Sequence, residues 1–260
     1  MAFNPYDYIP QPSLGVVYEP AALAGAPLEG ATAVVVDGIR ATTTIVMALA
    51  AGTTEVVPLR TKEEVLAEAA RRPAGSVVTA GERQGVRIEG LDLNNSPAAM
   101  TPEAVGGRTL LLTTTNGTAA ILEAMRAEEV LVAALPNRRA VARRLVELGR
   151  RVCFVSAGTV GTVSFEDGLV AGAVIEAILG SPGGERFHLE DSARLALAAW
   201  QASRNRLDGL LPQTWGGAFI NRLGFQDDLA ACGRVDAVEV VPVARGRPPV
   251  VTALGPAERA

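Results

Sequence analysis

The strongest constraint in this chain is a rhythm: short runs of Val, Ile and Leu are each followed by a stretch of helical period, and the pair returns five times. TAVVVD, Thr32 to Asp37, reads as strand and TTTIVMALAA behind it as helix. EVVPL precedes TKEEVLAEAARR, RTLLLTTT precedes GTAAILEAM, EVLVAALP precedes NRRAVARRLVELG, and RVCFVSAG precedes SFEDGLVAGAVIEAIL. Runs this apolar suit strands buried on both faces, and strands joined by helical crossovers pair in parallel. The expected fold class is therefore α/β, a mostly parallel β-sheet flanked by helices. After SPGGER the pattern turns helical from Leu189 to about Asn205, then loop-rich through Gly216 and Gly217, and AVEVVPVA, RGRPP and VVTAL read as a closing β-hairpin. With no composition shift to mark a linker, residues 1–260 read as a single domain, with room for two α/β subdomains inside it.

Rare residue types exclude whole chemistries. Lys62 is the sole lysine, His188 the sole histidine, and the cysteines are Cys153 and Cys232. One histidine and two separated cysteines cannot make a usual zinc site, and His188 has no partner for histidine-based phosphoryl transfer. No GxxxxGK[ST] loop occurs, and no cysteine stands ahead of an arginine at the spacing of a thiol-phosphate cradle. Two cysteines also suit a reducing compartment, and the N-terminus lacks a signal-peptide pattern, so a cytoplasmic protein is expected. A formal charge of −4 argues against nucleic acid as partner, and no apolar run is long enough for a membrane. The chain leaves open a homo-oligomer. Carboxylates, arginines, hydroxyls and backbone amides remain, which is the ligand set of magnesium and phosphate.

In parallel sheets ligands bind where strands end, so polar residues just after strands are the first candidates. DGIRATTT places Asp37 at a strand end, Arg40 three residues on, and Thr42, Thr43 and Thr44 entering a helix. A helix N-terminus there can hold an anion while Asp37 faces a cation. For the threonines alone, helix capping is the favoured role. In TTTNGTAA, Thr114, Thr115, Asn116 and Gly117 form a hydroxyl-lined tight turn suited to an anion. In SAGTVGTVSFED, Ser156 and Gly158 open a glycine-rich loop that ends on Glu166 and Asp167. An anion site and an ordinary connection into a helix are equally good readings of it. A long polar segment, Ala80 to Pro97, carries Glu82, Asn94 and Ser96 among residues of little period, and such loops are commonly functional.

Together DGIRATTT, GERQGVRIEGLDLNNSP, TTTNGTAAI and SAGTVGTVSFEDGLVAG, in this order, resemble the successive signatures of the 2-phosphosulfolactate phosphatases, and GFQDDLAACGRVDAVEVVPV resembles the family's closing segment. The resemblance spans roughly Val34 to Val243. It implies the family's distinctive ComB-like α/β fold and Mg²⁺-dependent hydrolysis of 2-phospho-3-sulfolactate to 3-sulfolactate and phosphate, a step of coenzyme M biosynthesis in methanogens. On that reading the partner is a small anionic substrate. Asp37, with Glu166 or Asp167, would hold Mg²⁺, and Arg40 would neutralise charge developing on the phosphoryl group, with Glu82 also in the catalytic set. Thr42, Thr43, Asn94, Ser96, Thr114, Thr115, Asn116, Gly117, Ser156 and Gly158 would contact substrate. The chain departs from the family where a His-Gly-Arg-like stretch is expected, since Phe219, Ile220 and Asn221 stand there. A non-catalytic small-anion binding protein and a phosphoryl or sugar transferase are the rival classes, and direct water attack and a covalent intermediate both remain open.

Overall fold

A computed structural model describes residues 9–255. The first half of the chain runs β1 (Ser13–Val17), β2 (Thr32–Val36), α1 (Ala41–Ala50), β3 (Glu55–Pro58), α2 (Lys62–Ala69), β4 (Val77–Arg83), β5 (Val86–Arg87), α3 (Pro102–Val105), β6 (Thr109–Thr113) and α4 (Gly117–Ala124). The second runs β7 (Glu129–Ala133), α5 (Arg138–Leu148), β8 (Val152–Ser156), α6 (Phe165–Leu179), β9 (His188–Leu189), α7 (Asp191–Ser203), α8 (Leu207–Leu210), α9 (Trp215–Arg222), α10 (Gln226–Gly233), β10 (Pro242–Arg245) and β11 (Val250–Ala253). The expected α/β class and mostly parallel sheet are both present. All five strand–helix pairs form, as do the helix after SPGGER and the final hairpin. The polar segment Ala80 to Pro97, expected as loop, instead begins inside β4: Ala80 to Gly81 pair with Leu112 to Thr113 of β6.

The strands form one eleven-stranded sheet in the order β5-β4-β6-β3-β11-β10-β7-β2-β8-β1-β9. β7, β2, β8, β1 and β9 are mutually parallel, and so are β3, β6 and β4. Between them sits the C-terminal hairpin, antiparallel to β7 on one side and to β3 on the other. Three successive reversals leave the two parallel blocks running in opposite senses. Period-2 alternation divides each strand between two faces. Val34 and Val36 enter the core beneath α5, α6 and α7 together with Phe154 and Trp200. Ala33 and Val35 enter the core on the other face, with Ile45 of α1 and Ile121 of α4. That second core also takes Leu110 and Leu112 of β6 and Val78 of β4, so one α1–α4 layer serves both blocks.

α6, which carries two of the acidic candidates, is fixed by α7. A Cβ added at Gly172 would lie 2.1 Å from the Ala196 carbonyl oxygen and 2.8 Å from Trp200 Cβ, so the two helices meet backbone to backbone there. Trp200 donates its indole N–H to Glu176 at 2.7 Å, closing the same contact with a polar bond. Gly172→Ala should therefore force the helices apart and destabilise the protein by about 2 kcal/mol, the scale of an overpacked core. Urea unfolding checks this, and an unchanged midpoint would show that α6 and α7 can separate without cost.

Candidate active site

The loops after β2, β6 and β8 and the end of β4 line one cavity of about 470 Å³. Its walls include Asp37, Arg40, Glu82, Thr115, Asn116, Gly158 and Asp167 from the sequence-based candidates. These come from four separated motifs. The first turns of α1 and α4 abut here: a Cβ on Gly117 would lie 2.5 Å from Ala41 Cβ and 2.6 Å from Asp37 Oδ2. Gly117 is thus required for close approach rather than for turn geometry. With α6 and α9 also starting beside the cavity, several helix N-termini direct their partial positive charge toward it.

Each buried carboxylate does different work. Asp37 Oδ1 accepts from the Ala41 amide at 3.2 Å at the start of α1. Asp167 accepts from the Gly38 amide (2.9 Å), the Ser156 hydroxyl (2.8 Å) and the Gly158 amide (3.0 Å), and so ties the β2 and β8 loops together. Glu82 accepts from the Gly85 amide at 2.8 Å and the Thr115 amide at 2.7 Å, joining the end of β4 to the β6 loop. Glu166 is different, because both of its carboxylate oxygens are buried without a hydrogen-bond partner. The Thr214 and Ser164 hydroxyls and the Gly216 amide lie near enough to moderate its charge but are not aligned to bond it. Its Oε1 lies directly under Gly216, where a Cβ would approach to 2.1 Å, so only glycine fits at the first turn of α9.

Burial, reinforced by the charges of Glu82 and Glu166, pushes the Asp37 carboxyl up to about 7 despite the Ala41 amide and Arg40. Burial and then the Asp37 and Glu166 charges hold Asp167 well above the usual carboxylate range. Burial likewise raises Glu166. Such a group of acids, with one carboxylate unspent, is short of positive charge. Asp37 and Glu166 offer hard oxygen donors of the kind magnesium takes. Among the described residues no three His, Cys, Asp or Glu side chains form a ready-made cage. Magnesium is commonly held by one or two carboxylates with water and substrate phosphate completing the shell, so the donor chemistry of these acids would suit it.

Arg40 is 3% exposed and already has an internal partner. Its Nη1 donates to Asp228 Oδ2 at 2.6 Å, its Nη2 to the Gly85 carbonyl at 3.0 Å, and its plane lies 4.9 Å from the Phe225 ring centre. Asp228 also accepts from the Ser96 hydroxyl at 2.5 Å and the Ala98 amide at 3.2 Å. Expected substrate contacts at several other positions are spent within the protein. The Thr42 hydroxyl bonds the Asp37 carbonyl and accepts the Asp37 amide, the Thr43 hydroxyl bonds the Gly38 carbonyl, and Thr114 and Thr118 bond one another across the start of α4. Asn94 donates to the Gly85 carbonyl and Ser156 to Asp167. Thr42, Thr43, Asn94, Ser96, Thr114, Gly117 and Ser156 are therefore behind the cavity wall, and Glu166 lies behind Gly216. Asp228, Gln84, Asn95 and Trp215 were not singled out in the sequence, and Phe219 and Ile220 of α9 stood out only as a departure from the family. Asp228 sits in the acidic first turn of α10, where a carboxylate needs no special function.

The family described as 2-phosphosulpholactate phosphatase matches residues 18–247. A Synechococcus protein named "Probable 2-phosphosulfolactate phosphatase" is 40% identical over 222 residues, 83% of this chain and 91% of its own length. A similarly named Prochlorococcus marinus protein is 39% identical over 81% of this chain and 88% of its own. A Symbiobacterium thermophilum protein of the same name is 39% identical over 83% and 92%.

The raised Asp37 carboxyl has a consequence for stability. Between about 4 and about 7 the unfolded chain has released a proton that folded Asp37 retains, so this group makes stability fall as pH rises through that window. In EDTA-treated protein, Asp37→Asn should therefore melt higher than the parent at pH 8, with the gap closing toward pH 4. Thermal unfolding across this range checks it, and a gap that is independent of pH would show that Asp37 is not held protonated.

Proposed function

The chain belongs to the 2-phosphosulfolactate phosphatase family, and on that premise we propose that it is a magnesium-dependent phosphoric monoester hydrolase acting on 2-phosphosulfolactate or a related 2-hydroxyacid phosphate. The observation that carries the reading is the convergence in one cavity of residues from four motifs far apart in the chain, under helix N-termini that attract an anion. A dianionic phosphoryl group could enter despite the carboxylates because Glu82 and Asp167 are hydrogen-bonded to backbone amides and a bound cation would offset the charge of Asp37.

Asp37, which lines the cavity, would hold Mg²⁺, with the buried Glu166 behind Gly216 adding negative charge nearby; when bound, the metal polarises the phosphoryl oxygens and positions the attacking oxygen. Asp167 and Glu82 act by position: their bonds to Gly38, Gly158, Gly85 and Thr115 fix the loops that surround the phosphate. Arg40 lines the cavity with its guanidinium held in place by Asp228, Gly85 and Phe225, so it meets negative charge developing on the phosphoryl group without having to reorganise. In the net reaction the P–O bond to the hydroxyacid breaks, its oxygen takes a proton, and a water oxygen ends in inorganic phosphate.

Purified protein should release phosphate from 2-hydroxyacid phosphates with Mg²⁺ and lose this activity in EDTA, with restoration on adding Mg²⁺. Full turnover in chelator would remove the metal, and binding without turnover would return the chain to the class of anion-binding proteins. Arg40→Lys keeps the charge but loses the planar fork that reaches Asp228 and substrate together. It should lower kcat/KM by about 10², the scale of a lost transition-state donor. Steady-state kinetics at saturating Mg²⁺ test this, and parental kcat and KM would assign Arg40 to the ion pair alone.

A further inference from the structure

One polar side chain of the cavity wall has no task within the protein. Asn95 lines the cavity and is 4% exposed, and its Oδ1 is buried without a hydrogen-bond partner. Among the described residues it is the single member of the wall with such an atom. Burying an unpaired carboxamide costs stability, and leucine, with the same branched outline, would avoid that cost. Packing alone therefore gives no reason for asparagine at this position. Neighbouring carboxamides are bonded internally: Asn94 Oδ1 accepts from the Asn95 amide at 2.7 Å, and Asn116 donates to the Gly158 carbonyl at 3.1 Å.

The residues on either side of Asn95 fix it beside Arg40. Asn94 Nδ2 donates at 3.1 Å to the same Gly85 carbonyl that receives Arg40 Nη2 at 3.0 Å. The Ser96 hydroxyl donates at 2.5 Å to Asp228 Oδ1, while Asp228 Oδ2 receives Arg40 Nη1 at 2.6 Å. Both shared acceptors are themselves held. The Gly85 amide bonds Glu82, and a Cβ at Gly85 would lie 2.6 Å from Leu223 Cδ1, so this turn packs closely on α9. Asp228 also accepts from the Ala98 amide. Asn94 and Ser96 thus anchor the segment to the two groups that hold the guanidinium, and Asn95 lies between those anchors on the cavity wall.

Building on the phosphatase reading above, we propose that Asn95 is a catalytic residue that donates an Nδ2–H bond to an oxygen of the same phosphoryl group that Arg40 faces. A carboxamide held in place by its neighbours is a donor of the kind that stabilises charge developing in a transition state. Because nothing bonds Oδ1, the carboxamide can turn about χ2 toward that oxygen without breaking a bond to it. Asn95 exchanges no proton, and the P–O hydrolysis is unchanged. Asn94, Ser96 and Asp228 are then positioning residues, which accounts for the internal bonds of two polar side chains flanking a wall residue.

Asn95→Leu and Asn95→Asp test this with Mg²⁺ present. Each should lower kcat/KM by about 10², the scale of one lost transition-state donor. The factor should be the same for 2-phospholactate and 2-phospho-3-sulfolactate, because the phosphoryl group is common to both. A loss confined to the sulfonate compound would overturn the proposal by assigning Asn95 to the remote acid. Inorganic phosphate, titrated calorimetrically with Mg²⁺, gives a readout independent of turnover: Asn95→Leu should bind it about tenfold more weakly than the parent, the scale of one hydrogen bond to a charged group. Asn95→Asp should bind it more weakly still, since a carboxylate opposes the anion. Without phosphate, Asn95→Leu should melt at or above the parent, whereas an asparagine kept for structure would make it melt lower. Asn95→Asp preserves size and shape if the leucine variant does not fold. Parental kinetics and phosphate affinity in Asn95→Asp would overturn the proposal and leave the phosphatase reading standing. A parent protein that hydrolyses neither compound would overturn both.

Discussion

A carboxylate withdrawn from water must find donors, and the site is built from that requirement. Asp37, Glu82, Glu166, Asp167 and Asp228 are all buried around one cavity. Three of them convert the requirement into architecture by accepting bonds from segments remote in sequence. Asp167 joins the β2 and β8 loops, Glu82 joins β4 to the β6 loop, and Asp228 joins Arg40 to the Ser96 turn across most of the chain. Loops that would otherwise fluctuate are held because letting any of them leave would strand a buried charge. Neither oxygen of Glu166 is hydrogen-bonded, although the Thr214 and Ser164 hydroxyls and the Gly216 amide lie near it, and this shortfall is what motivates the proposed cation.

The same requirement explains the hydroxyls. Thr42, Thr43 and Thr118 each bond backbone groups at the start of a helix. They support the loops of the proposed site from behind the cavity wall. In the proposed phosphate pocket these side chains set the positions of the loops, and Arg40 is the one cationic side chain among the described residues that line it.

Much of this was legible in the sequence. Apolar runs followed by helical period located five strands and their helices, and Asp37, Arg40, Thr115 and Asn116 stood out because they follow strands directly. Other features could not be seen that way. β4 was hidden because its second half, Ala80 to Arg83, is polar and continues into an irregular segment. The opposite senses of the two parallel blocks depend on pairing between distant strands, which local period does not encode. Asp228 was missed because two acids in a helix's first turn have an ordinary explanation, and its partner Arg40 is 188 residues away. Thr42 and Ser156 look like ligands in a one-dimensional motif, and only packing shows that they point at the protein's own backbone.

The position of β10 and β11 has a consequence for how the molecule is made. These strands follow every other strand in the chain, yet they occupy the middle of the sheet, between β7 and β3. A ribosome delivers both flanking blocks before the piece that unites them. Until it arrives, β7 and β3 each have an edge of unpaired backbone groups, the arrangement most prone to pairing with the wrong neighbour. The α1–α4 layer touches both blocks already and can hold them near one another during that interval. The hairpin then acts as a keystone, seated last and completing a span whose two sides have been waiting for it.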